Sequence, residues 1–200
     1  MEKNYHDKPL LILDLDETLI HTSDHIIDNL EHLMTIPIIG HTKHWVYTRP
    51  YFKEFTDYCY EHFDVAIWTA ASPEYAHSIL PQLFGEKYTK LAFIFTGERC
   101  TLTSDSRCCT VIKRKDLRKV TRRKFNGKKY NKHKMLMIDD KAYNFARNYG
   151  MGILIYEWNG NHFDIELKRL QLYLEKLLKT DGSWRFVEKR NWTSQININF

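Results

Sequence analysis

Leu10-Leu11-Ile12-Leu13-Asp14-Leu15-Asp16-Glu17-Thr18-Leu19 is the stretch on which the fold turns. Four consecutive apolar residues stop abruptly at two carboxylates spaced one residue apart. A run that is apolar on both faces fits a strand inside a parallel sheet covered on both sides. In such sheets the polar groups that serve a ligand lie just past the carboxyl ends of the strands, which is where Asp14 falls.

The spacing makes a chemical demand. The carboxylate of Asp14 can attack an electrophilic phosphorus, while that of Asp16 can protonate the leaving oxygen and later activate water. Clustered negative charge cannot receive a phosphate dianion without a cation, so the arrangement implies Mg²⁺ held by oxygen ligands. Thr18 strengthens the reading, because D-x-D followed by threonine is less common in ordinary loops than D-x-D alone.

Working outward, residues 64–68, 135–138 and 152–156 are further core-strand candidates, and the first two of these also end in polar residues. Helical patterns lie between them. Arg49-Pro50 opens a segment whose apolar stripe is Phe52, Phe55, Cys59 and Phe63. Ser72-Pro73-Glu74 reads as a helix start, followed by Ala76, Ile79, Leu80 and Leu83 on one face, with Pro81 ending or kinking the last turn. Residues 164–178 repeat leucine at helical intervals, and Thr180-Asp181-Gly182-Ser183 ends that helix. Alternating strand and helix argues for an α/β, Rossmann-like parallel sheet, with a small β insertion in residues 85–112.

The chain of 200 residues, 43% hydrophobic and 14% aromatic, suits one well-packed catalytic domain over residues 1–180. Residues 181–200 are expected to dock on it through Trp184, Phe186 and Trp192. No apolar run reaches membrane-spanning length and residues 1–8 are short and polar, so the expectation is an intracellular protein of nucleus or cytoplasm, neither secreted nor membrane-bound. Cys59, Cys100, Cys108 and Cys109 fit no zinc-ligand spacing and are expected to be reduced thiols.

The net charge of +5 is unevenly placed. Residues 113–134 hold twelve Lys or Arg against one acid, Asp116, so this basic segment carries +11 and the rest of the chain −6. Such a block either contacts a polyanion, a phosphorylated partner or nucleic acid, or is a solvated loop.

On a parallel α/β topology, groups distant in sequence converge. Thr69, after the apolar run 65–68, offers a hydroxyl to a phosphate oxygen. Asp139-Asp140, after the run 135–138, supplies a second carboxylate pair that completes a Mg²⁺ site and orients a basic residue. A cation must also neutralise the transferred phosphoryl group; Lys115 is the first choice and Lys113 the substitute.

These pieces together resemble the haloacid-dehalogenase superfamily of aspartate-nucleophile phosphotransferases. Within it they are similar to the FCP/SCP-type phosphatases that act on the carboxy-terminal domain of RNA polymerase II. The resemblance covers residues 9–178. It rests on Asp14 to Leu19 continuing into Ile20-His21-Thr22, Arg49-Pro50 with Glu54-Phe55, Trp68-Thr69-Ala70-Ala71-Ser72 followed by Glu74-Tyr75-Ala76, Lys115-Asp116-Leu117, and Ile138-Asp139-Asp140.

The resemblance implies the haloacid-dehalogenase fold, Mg²⁺ dependence and phosphoserine or phosphothreonine substrates of RNA polymerase II C-terminal-domain type. By motif, Asp14 is the nucleophile and Asp16 the acid and base. Thr69, Lys115 and Thr18 bind phosphate, and Asp14, Asp16 through its backbone carbonyl, Asp140 and neighbouring Asp139 form the metal site. The chain departs from the small-phosphatase branch at Asp139-Asp140-Lys141-Ala142, where that branch reads D-N-S-P, and in the length and charge of the segment before residue 134. Two alternatives follow from the same residues. One is a phosphatase for nucleic-acid ends or small metabolites, which the basic block favours and the small insertion disfavours. The other is a non-catalytic phosphopeptide-binding protein, disfavoured by retention of both Asp14 and Asp16.

Overall fold

The computed structural model describes residues 6–37, 43–105, 110–125 and 127–196. Along the chain the elements are β1 (Leu10–Leu13), β2 (Ile20–Ser23), β3 (His32–Pro37), β4 (Lys43–Thr48), α1 (Phe52–His62), β5 (Asp64–Trp68), α2 (Pro73–Phe84), β6 (Ile94–Phe95), β7 (Thr101–Asp105), β8 (Thr110–Arg114), α3 (Arg118–Thr121), β9 (Met135–Asp139), β10 (Gly152–Leu154) and α4 (Glu166–Leu178). Five strands form a sheet in the order β10-β9-β1-β5-β6, with every neighbouring pair parallel. The apolar run that opens the chain is its central strand, and all four residues of β1 are fully buried.

Alternation along the strands divides the core into two layers. Leu11, Leu13, Val65, Ile67, Leu136 and Ile138 face α1, α2 and α4, together with Trp184 and Trp192. Leu10, Ile12, Ala66, Trp68, Met135 and Met137 face Phe93, Phe95, Leu117, Val120 and Tyr130. The helix start at Ser72 is as the sequence predicts: Ser72 Oγ accepts the Tyr75 N–H at 3.3 Å, with Pro73 in the first turn. Pro81 stays inside α2, which ends three residues later as the N–H of Gly85, at φ +52°, returns to the Pro81 carbonyl.

Register explains why the site forms. Leu13 pairs with Ile67 on one side and Ile138 on the other, so Asp14, Thr69 and Asp139 leave the sheet at almost the same height. The chain passes from β1 to β5 and β6 on one side, and returns to β9 and β10 on the other. The crevice between β1 and β9 is therefore a topological switch point, the place where open parallel sheets bind ligands.

Several expectations need correction. Residues 20–48 carry an antiparallel sheet, β2-β4-β3, that hydrophobic periodicity did not reveal. Ile94–Phe95 is the edge of the main sheet rather than part of an insertion, and the β structure after it is the β7–β8 hairpin, which runs to Arg114. Residues 85–90 form a short 3₁₀ helix, and the last core strand stops at Leu154, two residues early. Trp184 and Trp192 are buried, whereas Phe186 is 86% exposed and does not dock. Cys59 and Cys100 are buried free thiols, and Cys108 and Cys109 lie outside the described residues. Among the described residues no helix is long and apolar enough to cross a membrane.

Candidate active site

The turn after β1 sets the first two acids. Leu15 O accepts the N–H groups of Leu19 and Ile20, at 2.9 and 3.1 Å, and Glu17 N–H returns to Ile20 O at 2.8 Å. Closing so tight a turn puts Glu17 at φ +59°, a left-handed conformation that costs free energy in a residue other than glycine. Trp158 N–H to Glu17 O at 2.8 Å, and His21 Nδ1 against the Glu17 carboxylate at 2.8 Å, hold it there.

Lys115 is buried beneath this turn, its Nζ donating to Asp14 Oδ1 and, at 2.7 Å, to Asp139 Oδ2. Burial pulls the Lys115 ammonium down, but Asp14 and Asp139 outweigh it and hold its pKa above the ordinary lysine value. Burial pushes the Asp14 carboxyl up, with Asp139 and Asp16 adding to the push and Lys115 opposing it. Lys113, the substitute candidate, reaches Ala70 O at 3.1 Å instead. Thr18 Oγ1 lies 3.5 Å from Asp14 Oδ2.

Asp16 is held from the far side of the crevice. Its Oδ1 accepts from the Tyr75 hydroxyl at 2.6 Å and its Oδ2 from Thr69 Oγ1 at 3.2 Å. Tyr75 also contacts Thr22 Oγ1 at 2.8 Å, and burial and Asp16 keep its phenol protonated by raising its pKa far above the usual tyrosine value. Thr69 Oγ1 in turn accepts the Ala71 N–H at 3.0 Å. Gly97 lets this loop close: a Cβ there would stand 2.6 Å from Ala70 O and 2.9 Å from Ala71 O.

The third and fourth acids differ sharply. Asp139 Oδ1 accepts from Lys141 N–H and Asn144 Nδ2, each at 2.9 Å; its Oδ2 accepts from Lys115 and, at 3.0 Å, from Asn144 Nδ2. Among the described residues Asp140 Oδ1, out of water, has no partner, and Oδ2 is met only by the Lys141 ammonium at 2.6 Å. Lys141 is shared with Glu157 at 2.9 Å. Asp14, Asp139 and Asp140 each offer a carboxylate oxygen within 4.8 Å of the others. With Asp140 Oδ1 unpartnered and two more carboxylates beside it, this is a donor set of hard oxygens, and it fits a divalent cation such as Mg²⁺.

Four supporting residues had no site role in the sequence reading. Asn144 Oδ1 accepts the Lys115 N–H at 3.0 Å, and Asn148 binds Lys115 O and Leu117 N–H at 2.6 and 3.0 Å, so both asparagines fasten the lysine strand to the turn after β9. Their i, i+4 spacing after Asp139-Asp140 was the available signal. Tyr75 stands one helical turn past the Thr69 loop. Arg49, fully buried, bonds Asp164 twice at 2.8 Å and donates to Thr18 O at 3.2 Å, pinning the turn from outside.

The sequence pattern of the NLI interacting factor-like phosphatase family matches residues 9–183. Among curated proteins, the chain is 25% identical over 177 residues to human carboxy-terminal domain RNA polymerase II polypeptide A small phosphatase 1, covering 88% of this chain and 61% of that protein. It is 27% identical over 175 residues to CTD small phosphatase-like protein 2 of Dictyostelium discoideum, covering 86% of this chain and 28% of that one. To nuclear envelope morphology protein 1 of Saccharomyces cerevisiae it is 25% identical over 205 residues, covering 98% and 45%. The chain thus spans from about a quarter to three-fifths of these relatives' lengths. The solved structure of the fission yeast RNA polymerase II CTD phosphatase Fcp1 bound to beryllium fluoride superposes with a TM-score of 0.56 at 12% identity, covering 94% of this chain and 48% of that one. The likeness is one of fold.

Proposed function

We propose that this chain, which belongs to the NLI interacting factor-like phosphatase family of the haloacid-dehalogenase superfamily, is a Mg²⁺-dependent protein serine/threonine phosphatase working through an aspartyl phosphate. One observation carries the reading. Asp14 and Asp16 face one crevice in different surroundings, Asp14 on the Lys115 ammonium and Asp16 between the hydroxyls of Tyr75 and Thr69. That difference suits two carboxyls to two roles.

A carboxylate oxygen of Asp14 attacks phosphorus as the bond from phosphorus to the serine or threonine oxygen breaks. Protonated Asp16 gives its proton to that departing oxygen. The Asp16 carboxylate then takes a proton from water, whose oxygen attacks the same phosphorus and breaks its bond to Asp14. Inorganic phosphate leaves, and both aspartates return to their starting forms. Lys115 balances charge on the phosphoryl group, and the hydroxyls of Thr69 and Thr18 are the ones within its reach. Asp14, Asp140 and the Asp16 backbone carbonyl would hold the cation, with Asp139 beside them holding Lys115 in place. When bound, the cation offsets the repulsion between phosphate and this carboxylate cluster.

Relatives named for the carboxy-terminal domain of RNA polymerase II support a phosphopeptide of that type as substrate, and with it a nuclear or cytoplasmic location. The test is phosphate release from singly phosphorylated heptad peptides, a phosphorylated oligonucleotide and an aryl phosphate, each with Mg²⁺ and with chelator. Release from peptide and aryl phosphate in Mg²⁺ alone is expected. Turnover of the oligonucleotide in preference to the peptides would favour a nucleic-acid-end phosphatase, and peptide binding without release a binding protein.

A further inference from the structure

The basic segment is the strongly charged surface that the proposed reaction leaves unused, and it is not a loose loop. Val120 and Tyr130 are buried in the second core layer, and the Phe125 ring centroid lies 4.4 Å from that of Phe93 and 5.7 Å from that of Phe95. Its upper part is tied to the phosphate-binding end of the sheet: Lys113 Nζ donates to Ala70 O, and Lys119 Nζ to Arg99 O at 2.6 Å. Its lower part is tied to the opposite end, where Lys128 Nζ and the Tyr130 hydroxyl reach Asp64 Oδ2 at 2.9 and 2.8 Å. The segment therefore descends the β6 edge over the height of β5, five residues or about 17 Å.

Between these anchors Arg122, Arg123 and Lys124 are exposed, and their side chains have no partner among the described residues. Three unopposed cations on a fixed support, leading away from a phosphate site, suit a chain of discrete anions. Guanidinium groups bind phosphate through two parallel hydrogen bonds, which a carboxylate on a flexible stem matches less tightly. Single-stranded nucleic acid would in addition call for exposed aromatic faces on which bases stack. The segment's one phenylalanine, Phe125, is already packed on Phe93 and Phe95, and the large exposed rings Tyr149, Tyr156, Phe163 and Phe186 belong to other parts of the chain.

We infer that Arg122, Arg123 and Lys124 form a docking surface for a second phosphorylated residue of the same substrate chain. Lys113 and Lys119, bonded to Ala70 O and Arg99 O, stand at the end of the segment nearer the Thr69 loop. The segment spans the height of β5, about 17 Å, and an extended peptide advances about 3.3–3.6 Å per residue, so the two phosphates lie within about five residues of each other. The inference rests on the phosphatase reading of Asp14 and Lys115.

The experiment compares peptides of one sequence carrying the target phosphate alone, the target plus a second phosphate four residues to either side, or the target plus glutamate at those positions. Each is assayed with the parent protein and with Arg122→Ser/Arg123→Ser/Lys124→Ser, beside an aryl phosphate. For one of the doubly phosphorylated peptides KM should be about tenfold lower than for the singly phosphorylated one at low salt, with kcat unchanged and glutamate giving less. The triple variant, and 0.5 M salt with the parent protein, should each remove the advantage, while aryl phosphate turnover stays constant. Equal KM for all peptides in the parent protein would overturn the inference. So would an oligonucleotide of equal charge that competes better than the doubly phosphorylated peptide, since it would assign the surface to nucleic acid. If the aryl phosphate is not hydrolysed, the active-site reading fails instead, and fluorescence anisotropy of the same peptides on the parent protein decides the docking on its own.

Discussion

The two ends of the central sheet treat their acids in opposite ways. At the amino end Asp64 Oδ2 is approached by Lys128, Tyr130 and His6, at 2.9, 2.8 and 3.0 Å, so donors outnumber the acid they serve. At the carboxyl end four aspartates, Asp14, Asp16, Asp139 and Asp140, face the two ammonium groups of Lys115 and Lys141, and Asp140 Oδ1 has no partner among the described residues. Burying unbalanced charge opposes folding, so a balanced cluster reads as structure and an unbalanced one as a place kept for a ligand. The lesson is that the imbalance, more than the mere presence of acids, marks the site.

The comparison breaks most completely at Asp14. Asp14→Asn removes the proposed nucleophile while relieving a buried charge, so turnover should vanish and the unfolding midpoint in urea should hold or rise. Measurable turnover of an aryl phosphate by that variant would sink the covalent mechanism. Asp16→Asn is expected to be milder, about 10²–10⁴ slower, because it removes an acid and base and leaves the nucleophile. It should still bind Mg²⁺ by calorimetry; loss of binding would make the Asp16 side chain a ligand rather than a proton carrier.

Adjacent Asp139 and Asp140 sharpen the same contrast within one dipeptide. Asp139 accepts four hydrogen bonds, so Asp139→Asn should cost about 2–3 kcal/mol in metal-free protein by leaving Lys115 and Asn144 poorly matched. Asp140→Asn should cost less than about 1 kcal/mol there, since its ion pair is with partly exposed Lys141, yet abolish the rise in melting temperature that Mg²⁺ gives the parent protein. Equal destabilisation by the two substitutions would mean that Asp140 is as structural as its neighbour.

Much of this site was legible before any fold was known, for a physical reason. Buried parallel strands are continuous apolar runs, so residues 10–13, 64–68 and 135–138 announced themselves, and the acids and threonine after them had to emerge at one edge. Geometry places Lys115 against Asp14 and Lys113 against Ala70 O, a difference that charge alone could not show. The β2-β4-β3 sheet stayed hidden because its strands are short and half-exposed, and a six-residue strand such as His32–Pro37 has no continuous apolar stretch. Ile94–Phe95, two residues long, is too short for any period to show. Tyr75, Asn144 and Asn148 were missed for a related reason: a polar residue on a helix or turn looks solvent-facing until the partner it bonds is known. Phe186 erred the other way, an aromatic that composition assigns to the core and the fold leaves in water.

The smallest expected effect tests the balanced end. Burial raises the Asp64 carboxyl, but hydrogen bonds from Lys128 and Tyr130 outweigh it and leave its pKa below the ordinary aspartate value of 3.8. A group whose pKa is depressed by folding stabilises the fold fully above its unfolded pKa and loses that contribution as pH falls through the folded value. Asp64→Asn should therefore cost about 1 kcal/mol at pH 7, at the low end for a charged hydrogen bond because Lys128 is partly in water. In urea unfolding series the gap between parent and variant should persist down to about pH 4 and close below it. Aryl phosphate turnover at pH 7 should stay within about twofold of the parent, since Asp64 lies a full strand length from Asp14. A tenfold fall in kcat would mean that the two ends are coupled, and that balance at one is a condition for imbalance at the other.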